Sequence, residues 1–143
     1  MAAHNLLQGA RSSTLLNAGT LAAGTYVGGS SFDLGASVPL FVTFEIEANA
    51  NGTPSGGKQL LLFIKWSLDN TNFGSGPESG TTATEEADLD WAGSLPMNDT
   101  NDHRKFFVVY PKARYFKIVA KNDLGVALTS GNIYRADFTG KGT

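Results

Sequence analysis

Residues 40–48 read LFVTFEIEA and residues 58–68 read KQLLLFIKWSL. In the first stretch Val42, Phe44 and Ile46 fall on one face, and Thr43, Glu45 and Glu47 on the other. A period of two marks a half-buried strand. The second stretch puts Leu60, Leu62, Ile64, Trp66 and Leu68 on one face. It also carries Leu61 and Phe63 opposite them, before turning polar at Lys65, Ser67 and Asp69. A central strand with extra cover on its second face explains this pattern, and so does a subunit contact.

The same signals recur along the chain. RKFFVVY (104–110) and ARYFKIVAK (113–121) are aromatic and β-branched runs split by Pro111-Lys112, and both read as strands. Phe116, Ile118 and Ala120 share one face of the latter. Asn122-Asp123-Leu124-Gly125 is a turn, with Gly125 free to take a positive φ. Residues 126–129 and 132–139 read as closing strands with Tyr134, Ala136 and Phe138 inward. Short strands are expected at 12–16, 24–27 and 31–34. Helical periodicity is absent apart from a turn near 85–92. The expectation is an all-β fold: a single, jelly-roll-like β-sandwich over 21–143, preceded by an extended N-terminal arm over 1–20.

Composition narrows the function. At 143 residues the chain is one domain. Only 17% of residues are charged, against about 25% on average, so polarity comes from Ser, Thr, Asn and Gly. The net charge of −2 gives no basic excess for direct nucleic-acid binding. The absence of cysteine excludes disulfides, thiolate metal sites and a Cys nucleophile. No run approaches the roughly 18 apolar residues that span a bilayer, and residues 1–19 lack the basic-then-apolar pattern of a secretory signal. No membrane partner and synthesis in a cytoplasm are expected.

Candidate sites are few. Glu85, Glu86, Asp88 and Asp90 lack the EF-hand spacing for Ca²⁺. Ser67, Ser94 and Ser130 are conceivable partners for His103, but no GxSxG elbow is present. No cofactor, metal or catalytic set is therefore assigned. Trp66, Trp91, Phe73 and Tyr110 offer flat faces for a sugar, with Trp66 better placed in the core and Trp91 at the surface. Charge is segregated: 78–102 holds seven carboxylates and no Lys or Arg, whereas 104–121 holds six basic residues and no acid. Such segments pair within one molecule or between neighbours. The arm is almost uncharged and carries Leu6, Leu7, Leu15 and Leu16 among small polar residues, which suits a partner surface. The contact candidates are Leu6, Leu7, Arg11, Leu15, Leu16, Glu85, Glu86, Asp88, Trp91, Arg104, Lys105 and Arg114.

Three runs carry a family likeness: LFIKWSLDNTNFG (62–74), LDWAGSLPMNDTNDHRKFFVV (89–109) and ARYFKIVAKNDLGVALTSGNIYRADF (113–138). With the strand at 40–48, residues 40–139 resemble small structural proteins of tailed phages and prophages. The resemblance implies a non-enzymatic head decoration, or cement, protein on the outside of a virion. Its partner would be the major capsid protein, and it would assemble as a homo-oligomer, dimer or trimer. A carbohydrate- or receptor-binding module of a tail or fibre is the alternative. The acidic stretch 78–90 is longer than the resemblance leads one to expect.

Overall fold

The computed structural model describes residues 5–141. Its strands are β1 (Asn5–Gln8), β2 (Leu16–Asn17), β3 (Tyr26–Gly28), β4 (Phe32–Asp33), β5 (Phe41–Ala50), β6 (Gln59–Ser67), β7 (Ser79–Gly80), β8 (Asp90–Pro96), β9 (His103–Val109), β10 (Tyr115–Asp123) and β11 (Leu128–Lys141). A single 3-10 turn, Glu86–Asp88, precedes β8. The first sheet runs β1-β11-β5-β9, with β2 also on β11. The second runs β7-β3-β10-β6-β8, with β4 also on β10. All pairings are antiparallel; four are nested, β6 with β8, β5 with β9, β3 with β10 and β1 with β11, and the long pairings of β5 with β11 and β6 with β10 join them into two sheets. A long antiparallel hairpin rolled up so that its pairs alternate between two sheets is a jelly roll.

Alternation builds the core. Val42, Phe44 and Ile46 of β5 meet Leu60, Leu62 and Ile64 of β6, with Phe116, Ile118 and Ala120 of β10 and Ile133 of β11 in the same cluster. Each large side chain removed from water there contributes about 1.5–3 kcal/mol. Asn122 is fully buried at the far end. Its amide donates to the Leu21 and Val126 carbonyls and accepts from Leu124 N–H, fixing the turn before β11. Gly125 in that turn has φ 73°, and a Cβ there would meet Ser55 Oγ at 2.2 Å.

Four expectations are corrected. The closing segments form one strand, β11, with an irregularity between Leu128 and Ser130. Tyr134, Ala136 and Phe138 face outward, because Ile133, paired with the buried Ile46, sets the register. The charged pair that takes the inward positions, Arg135 and Asp137, is neutralised by its own contact at 3.2 Å. Residues 90–96, where the sequence pattern leads to no expected strand, are the edge strand β8. Gly93 has no side chain there because a Cβ would lie 2.4 Å from the Phe107 ring.

The fourth correction concerns the arm. Residues 1–4 lie outside the described residues, but residues 5–18 do not leave the sandwich. Gly9, Ser12, Leu15 and Ala18 donate amide hydrogen bonds to the carbonyls of Asp137, Arg135, Ile133 and Gly131. Leu16 enters the core and Leu15 packs against it. The segment is the edge of the first sheet, because β11 has a row of carbonyls that need donors.

The extra cover over Phe63 is supplied by the chain itself. Residues 68–89 fold as a strap across the outer face of the second sheet, enclosing Phe63, Leu89, Tyr26 and Val119 in a second apolar cluster. Lys65, only 7% exposed, donates to Glu78 at 2.9 Å and to the Gly76 carbonyl at 3.1 Å. Lys117 lies 3.5 Å from Glu78. Lys121 at 2.8 Å and the Tyr26 hydroxyl both donate to Glu86. Burial pushes the Glu78 carboxyl up, but Lys65 and Lys117 outweigh it and hold it below the ordinary carboxylate value.

Two outcomes follow from these contacts. Removing residues 1–16 should destabilise the sandwich by at least about 3 kcal/mol through loss of the Leu15 and Leu16 contacts and exposure of β11, read as a lower urea midpoint. Because the folded pKa of Glu78 is depressed, its contribution is present above the ordinary value of about 4.3 and is lost as pH falls through the folded one. Methyl resonances of Leu89 and Val119 should lose dispersion on acidification before those of Ile46 and Ile133, and Glu78→Gln should bring that change to neutral pH.

Candidate functional site

Large exposed apolar side chains stand at one end of the sandwich and on the outer face of the first sheet. The end is where β5 and β10 begin and β6 and β9 finish. Three loops bring large apolar side chains there. Val38 and Leu40 come from the loop before β5, Leu68 from the turn after β6 and Tyr110 from the turn after β9, with exposures of 42%, 57%, 83% and 72%. Leu68 leaves the core series of its strand because β6 ends at Ser67.

Polar groups hold these loops. The Asp69 carboxylate accepts from the amides of Thr71 and Asn72 and from the Asn72 side chain, and these bonds hold its carboxyl far below the usual range. Arg114 clasps Asp33 through two bonds of 2.7 and 2.8 Å. That contact, with the Gly35 amide, lowers the Asp33 carboxyl to about 2. Trp66 Nε1 donates to Asp90 at 2.8 Å, and Lys112 meets the other oxygen of Asp90 at 3.0 Å. A shallow hollow of about 380 Å³ lies between Trp66, Leu68, Asn72 and Lys112.

The sheet face is built by the outward half of each strand. Arg104, Phe106 and Val108 come from β9, Phe41, Thr43, Glu45 and Glu47 from β5, and Tyr134, Ala136 and Phe138 from β11. Phe41 stacks on Phe138 with ring centroids 4.6 Å apart and meets Tyr110 edge-on at 6.2 Å. Arg104 bonds both Glu45 and Glu47, and these contacts, Glu45 first, raise its already high pKa. Arg11 lies 3.6 Å over the Tyr134 ring and 3.2 Å from Glu45. A hollow of about 190 Å³ opens between Gln8, Arg11, Thr43, Phe106, Ala136 and Phe138.

The contact candidates scatter. Arg11 and Arg104 converge on Glu45 at this face, and Leu6 stands exposed at its β1 border. Leu7 is exposed on the opposite side of β1. Leu15 and Leu16 are taken up by the core. Glu86 is bound to Lys121 and Tyr26, whereas Glu85 and Asp88 are exposed on the strap. Trp91 projects beside Phe63 and is 61% exposed. Lys105 lies over the Phe107 ring, and Arg114 is held by Asp33. Trp66, Trp91, Phe73 and Tyr110 do not form one platform: Trp66 packs on the core, Phe73 sits under Lys117, and Tyr110 belongs to the first-sheet side.

Sequence reading missed Phe106, Val108, Tyr134 and Phe138 as one surface. The signal was the unbroken apolar run of β9, which has no polar face although it forms a sheet edge. His103 bonds Asp99 at 2.7 Å, while Ser67 and Ser130 donate to Asp69 and Asn49. Among the described residues no group of three or more His, Asp or Glu is placed to hold a metal ion.

No protein-family model and no curated protein matches the chain. Among solved structures it is similar to a family 16 carbohydrate-binding module, at 12% identity and TM-score 0.40 over 85% of this chain and 74% of that one. It is also similar to PirA, at 10% identity and TM-score 0.36 over 96% and 94%. A third likeness is to the empty top-component particle of cowpea mosaic virus, at 13% identity and TM-score 0.32 over 99% and 88%.

Proposed function

We propose that the chain is a non-enzymatic structural protein of a tailed-phage virion that binds the outside of the capsid lattice and stabilises the mature head. The observation that carries this reading is the gathering of Val38, Leu40, Leu68 and Tyr110 at one end of the sandwich. Scattered exposed apolar residues are ordinary, but large apolar side chains brought by three separate loops to one end of a sandwich offer a surface for protein contact. The loops are pinned by Asp69 and by the Asp33–Arg114 clasp, so docking orders little and loses little entropy. One of the three runs that resemble phage structural proteins, 62–74, includes the turn that carries Leu68.

Contact with a lattice present only in the expanded shell stabilises that shell by mass action, as any ligand of a native state does. The test is sedimentation of the purified protein with expanded empty capsids of the phage that encodes it. A fixed copy number per shell is expected. Leu40→Asp with Leu68→Asp should weaken binding by about tenfold or more without changing the melting temperature. Wild-type protein left in the supernatant well above micromolar concentration would remove the reading.

A further inference from the structure

The outermost strand of the first sheet, β9, has a free edge. We propose that this edge takes an added β-strand from the capsid subunit, an extended segment that pairs backbone to backbone with residues 104–108, a mode of contact that rests on the capsid reading above. β9 runs directly into Tyr110, so its edge is continuous with the apolar end of the sandwich and lengthens that contact.

Hydrogen-bond phase fixes which backbone groups are free. The carbonyls of Gly131, Ile133, Arg135 and Asp137 accept bonds from Ala18, Leu15, Ser12 and Gly9. The backbone groups of these odd residues of β11 therefore point away from β5, and those of Asn132, Tyr134, Ala136 and Phe138 point toward it. Their register partners on β5 are Glu47, Glu45, Thr43 and Phe41. The alternate residues of β5, Val42, Phe44, Ile46 and Ala48, are left to bond Val109, Phe107, Lys105 and His103 of β9. The amides and carbonyls of Arg104, Phe106 and Val108 thus point off the sheet, and no backbone group among the described residues bonds them. Such a row of alternate donors and acceptors is what strand addition uses.

The other edges are guarded. β1, β2, β4 and β7 are two to four residues long. β8 has an irregular register beside Phe63 and ends at Pro96. β9 has seven residues in unbroken register with β5, and neither proline nor glycine. Its charges, Arg104 and Lys105, stand toward one end, and residues 106–109 are wholly apolar. Phe106 and Val108 are exposed on the outer face. A long, regular, apolar edge left bare is a pairing site. The chemistry of the added strand follows from its neighbours. It carries apolar side chains beside Phe106 and Val108 and a carboxylate beside Lys105. Arg104 is already neutralised by Glu45 and Glu47, whereas Lys105 lies over the Phe107 ring and has no carboxylate partner among the described residues.

Two variants and the expanded empty capsids test this. Val108→Pro deletes one outward N–H that the fold does not use, and edge strands tolerate proline at such a position. Val108→Ala keeps the N–H and loses the side chain. Val108→Pro should weaken co-sedimentation at least about tenfold more than Val108→Ala, the size of one lost buried hydrogen bond, with the melting temperature held. Hydrogen exchange of the wild-type chain reads the same contact without a substitution. In the free protein the amides of Arg104, Phe106 and Val108 should exchange fast, and those of Lys105, Phe107 and Val109 slowly. On capsids the three fast amides should become slow. Wild-type protein that does not sediment with capsids removes both the capsid reading and this contact. Capsid binding with the three amides still fast, or equal binding by folded Val108→Pro and Val108→Ala, overturns the added strand alone. So does a dimer of the free chain in which those amides are already slow, because the edge then holds a second copy.

Discussion

Everything else in the molecule is arranged around the ring of Phe116. It is fully buried on β10, and four groups close on it from both sheets. Phe32 lies 5.4 Å away, Trp66 5.9 Å, Phe44 of the facing sheet 5.8 Å and edge-on, and the Arg135 guanidinium 5.3 Å. Aromatic pairs of this kind add about 0.5–1.5 kcal/mol each beyond their burial. The cluster also decides direction. Arg135 points between the sheets because Phe116 and Asp137 receive it, and its neighbours Tyr134 and Ala136 are thereby turned outward onto the open face. One buried ring thus links the core to the open face of the first sheet.

The segregation of charge along the sequence resolves mostly within the molecule. Acids of the 78–102 segment bind bases on β6 and β10 through Glu78 and Glu86, and Asp90 takes Lys112. The Glu78 and Glu86 pairs, half-buried, are shielded from salt more than surface pairs are. They fasten a strap with little apolar surface of its own over a strand whose second face is too apolar for water.

Much of the fold was legible because it obeys a period of two. The strands at 40–48, 58–68, 104–110 and 113–121 and the turn at Gly125 follow from alternation and turn chemistry alone. The double-sided character of Leu61 and Phe63 announced a covering element, though not whether it came from the same chain. Alternation failed in three places. On β11 it gave the wrong phase, because a charged pair inside the sandwich looks like a solvent face. At β8 the strand was hidden by the carboxylates before it and by the glycine that Phe107 requires. In residues 5–18 the strand character comes from backbone bonds to β11, which leave no mark on side-chain pattern. The site was less legible still: its loops meet only through nested pairing, and Leu68 belongs to a core series until the strand ends before it.

That nesting has a temporal consequence. The innermost pair, β6 with β8, closes only the strap, but β1 finds its partner in β11. Pairings of such long separation carry a high loop-closure cost and fold slowly. During synthesis the first sheet therefore keeps β1, β2 and one edge of β5 unpaired until β11 is made. The final strand β11 supplies the hydrogen-bond partners of β1, β2 and β5 together, so its arrival both completes the first sheet and withdraws three sticky edges at once. Until β11 emerges the first sheet stays open, and chaperone supply would bear on the yield of folded chain.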